Sequence, residues 1–243
     1  MLYERNMECD FIWPESENLN EYKVIIVPAL YAAPEELLQK LVRYVEGGGY
    51  LAATFKTAFA NENVKVSHEV QPHILHKCFG VEYQQFAFPK HTGLTGKIIG
   101  DAEEEAAEAD AFMELLIPHG AEVLASYDHY NWNEYAAVTE NSYGNGKAFY
   151  LGCMTDKKIL WRILEYMLRA AAVQIPDENF PVIVRQGKND FGKTVRFYFN
   201  YSAEGRNVTY KFSDSTELLS GAEIKSQEEF GIPAWGVKII EET

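Results

Sequence analysis

An α/β domain followed by a small antiparallel β domain is the fold class that the 243-residue sequence predicts, and three observations predict it. Val24 to Val27 is a continuous, mostly β-branched apolar run, the pattern of a central strand buried on both faces of a parallel sheet. Leu37, Leu38, Leu41, Val42 and Val45 then recur at helical spacing before a second strand-like stretch, Tyr50 to Phe55. Beyond Gln174 the apolar period changes from helical to two.

Each element follows from local chemistry. Leu2, Tyr3 and Met7 read as the apolar face of a helix with no capping residue before them, as if the chain had been cut in mid-turn. Cys9 to Trp13 predicts a short strand that Pro14 ends. Pro34 suits the start of a helix because its missing N–H has no partner to lose there, and Glu35 and Glu36 complement the positive helix end. Gly47, Gly48 and Gly49 terminate that helix, so the unit is β-α-β with a right-handed crossover. A loop and a short helix from His73 to Phe79 follow, with Gly80 as its stop, then an edge strand over Val81 to Phe88. The acidic run Asp101 to Asp110 reads as a solvated helix face or loop. Ala121 to Tyr127 is strand-like, and Ala136 to Asn141 pairs with Ala148 to Cys153 as a hairpin around Gly144-Asn145-Gly146. Asp156 caps a helix whose buried stripe is Ile159, Leu160, Ile163, Leu164, Met167 and Leu168. After a polar linker, Gln174 to Asn179, short strands are predicted at 180–186, 194–201, 207–212, 217–219 and 235–240. The domains expected are 1–175 and 179–243.

Composition narrows the function. With 36 acidic and 22 basic residues, a formal charge of −14, the chain lacks the basic face that a nucleic-acid partner demands. No apolar stretch approaches the roughly 20 residues that span a bilayer, and the N-terminus is not a signal peptide, so no membrane partner is expected. Cys9, Cys78 and Cys153 are odd in number and contain no CxxC, which points to free thiols in the cytoplasm.

Chemistry is sparse. The loop after Phe55 leaves the carboxyl end of a parallel strand, where ligands bind in open α/β sheets, so Lys56, Asn61, Glu62 and Asn63 are the first candidate site residues, against the plainer reading of a capping loop. His68, His73, His76 and Cys78 lie close in sequence, but without HExxH or CxxC they predict no metal site, and no cofactor is expected. Tyr127, Tyr130, Trp132 and Tyr135 form an aromatic stretch, in which Tyr130 and Trp132 are candidate interface anchors. The element order resembles class I glutamine amidotransferase-like domains, flavodoxin-like three-layer folds. That family's Cys nucleophile on a tight turn has no counterpart in LAATFKTAF, and no His follows Cys153. No catalytic residue is assigned.

Five stretches together carry a more specific resemblance: LYERNMECDFIWPE from Leu2, the block from Tyr22 to Val64, AAVTENSYGNGKAFYLG from Ala136, VRFYFNYS from Val195 and PAWGVKII from Pro233. They resemble the non-catalytic part of a family 42 glycoside hydrolase, a β-galactosidase. That resemblance implies a trimerisation domain followed by a C-terminal β-sandwich domain, a homotrimer, and a missing catalytic barrel that would carry both catalytic glutamates. A barrel alone needs about 250 residues, so the chain is expected to be a cut or truncated piece that does not hydrolyse by itself. Lys56-Thr57-Ala58 stands where the family has Arg-Ser-Gly, and Asn61-Glu62-Asn63 where it has Asp-Glu-Asn. In the family this loop lies toward a neighbouring barrel, a role those changes put in question. Two other readings stand beside this one: an amidotransferase-like hydrolase with an unrecognised nucleophile, and a carbohydrate-binding module stacking sugar on Tyr198, Tyr201 or Trp235.

Overall fold

In the computed structural model, which describes residues 1–100, 107–176 and 180–242, the β-α-β start is present. Strand β1 (Val24–Val27) pairs in parallel with β2 (Tyr50–Thr54) across helix α1 (Glu35–Glu46), with Val24 opposite Tyr50 and Val27 opposite Ala53. Pro34 is the N-cap of α1, and Leu38, Leu41, Tyr44 and Val45 are its buried face. The chain continues through α2 (His76–Phe79), β3 (Val81–Glu82), β4 (Phe86–Ala87), β5 (Thr92–Thr95), β6 (Glu108–Glu114), β7 (Ile117–Pro118), β8 (Glu122–Asp128), β9 (Ala136–Tyr143), β10 (Gly146–Leu151), β11 (Cys153–Thr155) and α3 (Lys157–Ala170). The last part holds β12 (Val182–Lys188), β13 (Thr194–Asn200), β14 (Arg206–Thr209), β15 (Ser215–Glu217), β16 (Glu223–Ile224), β17 (Glu229–Ile232) and β18 (Val237–Glu242).

The chain divides into two compact units. One comprises Ile12–Gln174; the other joins Met1–Phe11 to Ile175–Thr243. Among the described residues of the first, a nine-stranded mixed sheet runs β1-β2-β10-β9-β8-β5-β6-β11, with β4 beside β6. Only β1, β2 and β10 are mutually parallel; the remaining pairings are antiparallel. The expected fold class is corrected accordingly. The unit is a β-rich mixed sheet rather than a flavodoxin-like or amidotransferase-like three-layer α/β domain, because antiparallel strands fill the stretch where further β-α repeats would stand. Its core gathers Leu38, Leu41, Val45, Leu51, Leu75, Phe79, Leu116 and Tyr150. Gly144 and Gly146 bring the β9–β10 hairpin against the end of α1: a Cβ on Gly144 would stand 2.6 Å from Glu46 Cα.

Four further expectations are corrected. β1 is at the sheet's edge, not its centre, and only Ile25 of its four residues is buried. Cys9 to Trp13 forms no strand, and the first turn is a short 3-10 helix, Tyr3–Arg5. The acidic run ends as the start of β6; its residues 101–106, like 177–179 of the linker, lie outside the described residues.

Among the described residues of the other unit, a five-stranded antiparallel sheet, β12-β13-β18-β15-β16, and a β14–β17 ribbon close on Val182, Tyr198, Val208, Tyr210, Ile224, Ile232 and Ile240. The small domain expected as a β-sandwich is therefore one sheet with a two-stranded ribbon. Asn6 joins it by accepting from Val184 N–H at 2.8 Å.

Candidate functional site

The turn after β2 is held from several sides. Phe55 N–H donates to the Leu151 carbonyl at 2.8 Å, Thr57 Oγ1–H to the Thr54 carbonyl at 2.7 Å, and Ala58 N–H to the Leu30 carbonyl at 2.8 Å. Lys56 and Ala58 adopt left-handed backbone, φ 61° and 57°, a conformation costing about 1–2 kcal/mol for a residue with a Cβ. The turn persists because its surroundings fix it.

That turn sets Lys56 Nζ on two ring faces, 3.4 Å from the Phe86 centroid and 3.7 Å from that of Phe59. Burial lowers the ammonium's pKa, with Glu114 acting in the opposite direction. The rings are continuous. Tyr31 lies 5.4 Å from Phe59, Phe86 5.4 Å from Phe112, Phe112 5.1 Å from Phe55, and Phe88 6.0 Å from Phe112. Yet Phe86 is 45% and Phe88 74% exposed. Contiguous rings left in water mark a surface that gains free energy when covered.

Beneath the rings lies Glu114, fully buried on β6 beside Phe86 of β4. Its Oε1 accepts from Lys56 N–H at 2.8 Å and its Oε2 from the Tyr150 hydroxyl at 2.9 Å. Its carbonyl accepts from the Tyr127 hydroxyl at 2.8 Å. Burial pushes this carboxyl up to about 7 against the donation from Lys56 N–H and Tyr150. Sequence reasoning did not single out Glu114, Phe86, Phe88 or Phe112; the available signal was one carboxylate inside the apolar run Phe112 to Leu116.

The other candidates separate. Asn61 Oδ1 accepts from the Asn63 and Lys65 N–H groups, each at 3.0 Å, so its side chain builds a turn. Asn63 Nδ2 donates to Glu62 Oε1 at 3.3 Å. Asn61 and Glu62 line a cleft of about 450 Å³ with Glu35, Lys65, His68 and His73; Lys56 and Asn63 do not. His73 Nδ1 is 3.1 Å from Ser67 Oγ, and His76 Nδ1 is 2.7 Å from the His73 carbonyl. Among the described residues, no group of three or more His, Cys, Asp or Glu is placed to hold a metal ion. Cys78 and Cys153 are buried and their thiols are pushed up to about 12, first by desolvation. Trp132 stacks on His129 with centroids 4.1 Å apart, and Tyr130 is 85% exposed, whereas Tyr127 is a core residue. Tyr198 is also core, which removes it as a sugar platform, while Trp235 is 69% exposed. Among the described residues no helix is long and apolar enough to cross a membrane.

A β-rich unit with an exposed ring cluster over a buried carboxyl is the class of molecule that this geometry defines. The chain belongs to the beta-galactosidase trimerisation domain family, whose model matches residues 1–174. It is 26% identical over 242 residues to beta-galactosidase LacA of Lactobacillus acidophilus, covering 98% of this chain and 35% of that protein. It is 33% identical over 177 residues to beta-galactosidase LacZ of Heyndrickxia coagulans, covering 72% and 26%. Among solved structures it is similar to the beta-galactosidase from Bacillus circulans sp. alkalophilus, with a TM-score of 0.87, 26% identity, and coverage of 100% of this chain and 36% of that one. The chain thus spans about a third of the length of relatives it matches end to end.

Proposed function

We propose that this chain is the assembly portion of a β-galactosidase, that it forms a homotrimer, and that it positions catalytic barrels it does not itself contain. The observation that carries this reading is the ring cluster beside Lys56, in which Phe86 and Phe88 are exposed and half-buried Phe112 joins them, inside the 1–174 stretch that matches the trimerisation family. Closed cyclic assembly needs a heterologous pair of patches on each subunit, and the ring face supplies one of them. Tyr130 and Trp132, on the loop between β8 and β9, supply the other, with Asn61, Glu62 and Asn63 at a neighbour's margin. The division of labour is residues 1–175 for assembly and 179–243 for a C-terminal β domain, supported by the limit of the family match. Residence in the cytoplasm fits three free cysteines.

Light scattering on the eluting protein tests the assembly: the expected mass is three times that of one chain, and a strictly monomeric mass at high concentration contradicts it. The non-catalytic assignment is supported by the share of its relatives' length that the chain spans and by the length a barrel requires. Turnover of a chromogenic galactoside that one point change in these residues abolishes would overturn it.

A further inference from the structure

β1 combines the composition of a central strand with the position of an edge strand. Val24 to Val27 is apolar and β-branched throughout, the make-up of a strand covered on both faces of a parallel sheet. Yet among the described residues it pairs with β2 alone, and Val24, Ile26 and Val27 are only half-buried. The register identifies the groups left over. Tyr50 N–H donates to the Lys23 carbonyl at 3.1 Å, so in this parallel ladder the N–H groups of Ile25 and Val27 turn toward β2, and the N–H and C=O groups of Val24 and Ile26 turn away from it. Edges are ordinarily guarded by charge, proline or a bulge. β11, at the opposite end of the sheet, breaks register between Cys153 and Met154, whereas β1 keeps a continuous register and contains neither a charge nor a proline. The nearest charge, Lys23, is turned to the Ala172 carbonyl, to which Nζ donates at 3.2 Å. Cys9 to Trp13, also strand-like in sequence, forms no strand, and Phe11 and Trp13 stand exposed.

We propose that the outer edge of β1 is a strand-acceptor site, and that its occupant is a continuous apolar segment, running parallel to β1, from the part of a longer enzyme that this chain does not span. The occupant's chemistry follows from the sheet. β1, β2 and β10 are mutually parallel, and a strand added to such a block is apolar on both faces rather than alternating. Its main chain pairs with the outward groups of Val24 and Ile26 and supplies the affinity, while its side chains cover the half-buried valines and isoleucine and supply the selectivity. The source follows from length, since the chain spans about a third of relatives that it matches end to end. The proposal rests on the reading of the chain as one portion of a longer enzyme, and not on its forming a trimer.

Amide hydrogen exchange in the full chain, read by NMR, tests the site directly. The probes are overlapping peptides of about ten residues covering the part of Lactobacillus acidophilus LacA outside the 35% that this chain matches. Without peptide, the Val24 and Ile26 amides are expected to exchange faster than those of Ile25 and Val27. One peptide, or two that overlap, slows Val24 and Ile26 by about tenfold or more and changes Ile25 and Val27 less. Ile26→Pro removes an outward N–H and no β1–β2 bond, so it abolishes the protection of Val24 while circular dichroism stays unchanged. If that variant does not fold, the same peptide N-methylated at alternate residues loses its effect on the unaltered chain. Val24 and Ile26 amides already protected without peptide, protection by no peptide, or protection that survives both the proline and the N-methyl groups overturns the acceptor. Protection that grows with the concentration of the chain alone assigns the edge to a second copy and overturns the stated occupant. A mass three times that of one chain with no peptide effect overturns the acceptor and leaves the trimer; a monomeric mass with peptide protection does the reverse.

Discussion

Glu217, at the end of β15, contributes to how the smaller unit responds to acid. Burial alone would push its carboxyl up, but donation from Ser220 Oγ and from the Leu219, Ile239 and Ser220 N–H groups outweighs that and holds it at about 2. Because the unfolded chain binds a proton more readily, stability from this group is complete above the ordinary carboxyl range and is lost as pH falls toward 2. Glu217→Gln is expected to flatten the acid limb of the unfolding free energy by a few kcal/mol, read by denaturant titrations at successive pH values. Asp156 makes a simpler case, since its Oδ1 accepts from Lys158 and Ile159 N–H at 2.7 and 2.9 Å. Asp156→Ala should cost about 1 kcal/mol, measured the same way. The cap was readable from sequence because capping is local. Glu114 was not, since its partners Lys56 and Tyr150 lie 58 and 36 residues away and no spacing rule joins them.

The β9–β10 hairpin is the element on which the sheet turns from parallel to antiparallel: β10 pairs in parallel with β2 and antiparallel with β9. A Cβ on Gly146 would overlap the carbonyl oxygens of Gly49 and Val45, both of them backbone atoms with no room to yield. Gly146→Ala should therefore destabilise the larger unit by about 2 kcal/mol or more, seen as a lowered melting temperature. Its turn residues announced this hairpin, as Pro34 and the apolar stripe announced α1. What sequence could not convey was sheet order. A short apolar run such as Val24–Val27 reads alike at a centre or an edge, and it proves to be an edge strand with a single buried side chain. β6 was hidden because its first residues, Glu108 to Asp110, end an acidic run whose charge suggested solvent.

At the scale of the whole molecule, the exposed rings bear on the proposed assembly. A chain covering about a third of its relatives, with Phe86 and Phe88 left in water, is read as a scaffold whose apolar face is covered only in an assembly. Lys56 is a candidate in the sequence because of its place after a parallel strand, but the rings that surround it come from β4, β6 and the loops, which converge only in the folded sheet. Truncating a central aromatic anchor in an interface typically costs 2 kcal/mol or more. The most direct measurement is the sedimentation of Phe88→Glu beside the wild type at matched concentration. The expected outcome is a wild-type trimer and a variant, still folded by circular dichroism, that dissociates at concentrations at least about thirtyfold higher. A folded Phe88→Glu chain that assembles as tightly as the wild type would contradict the account.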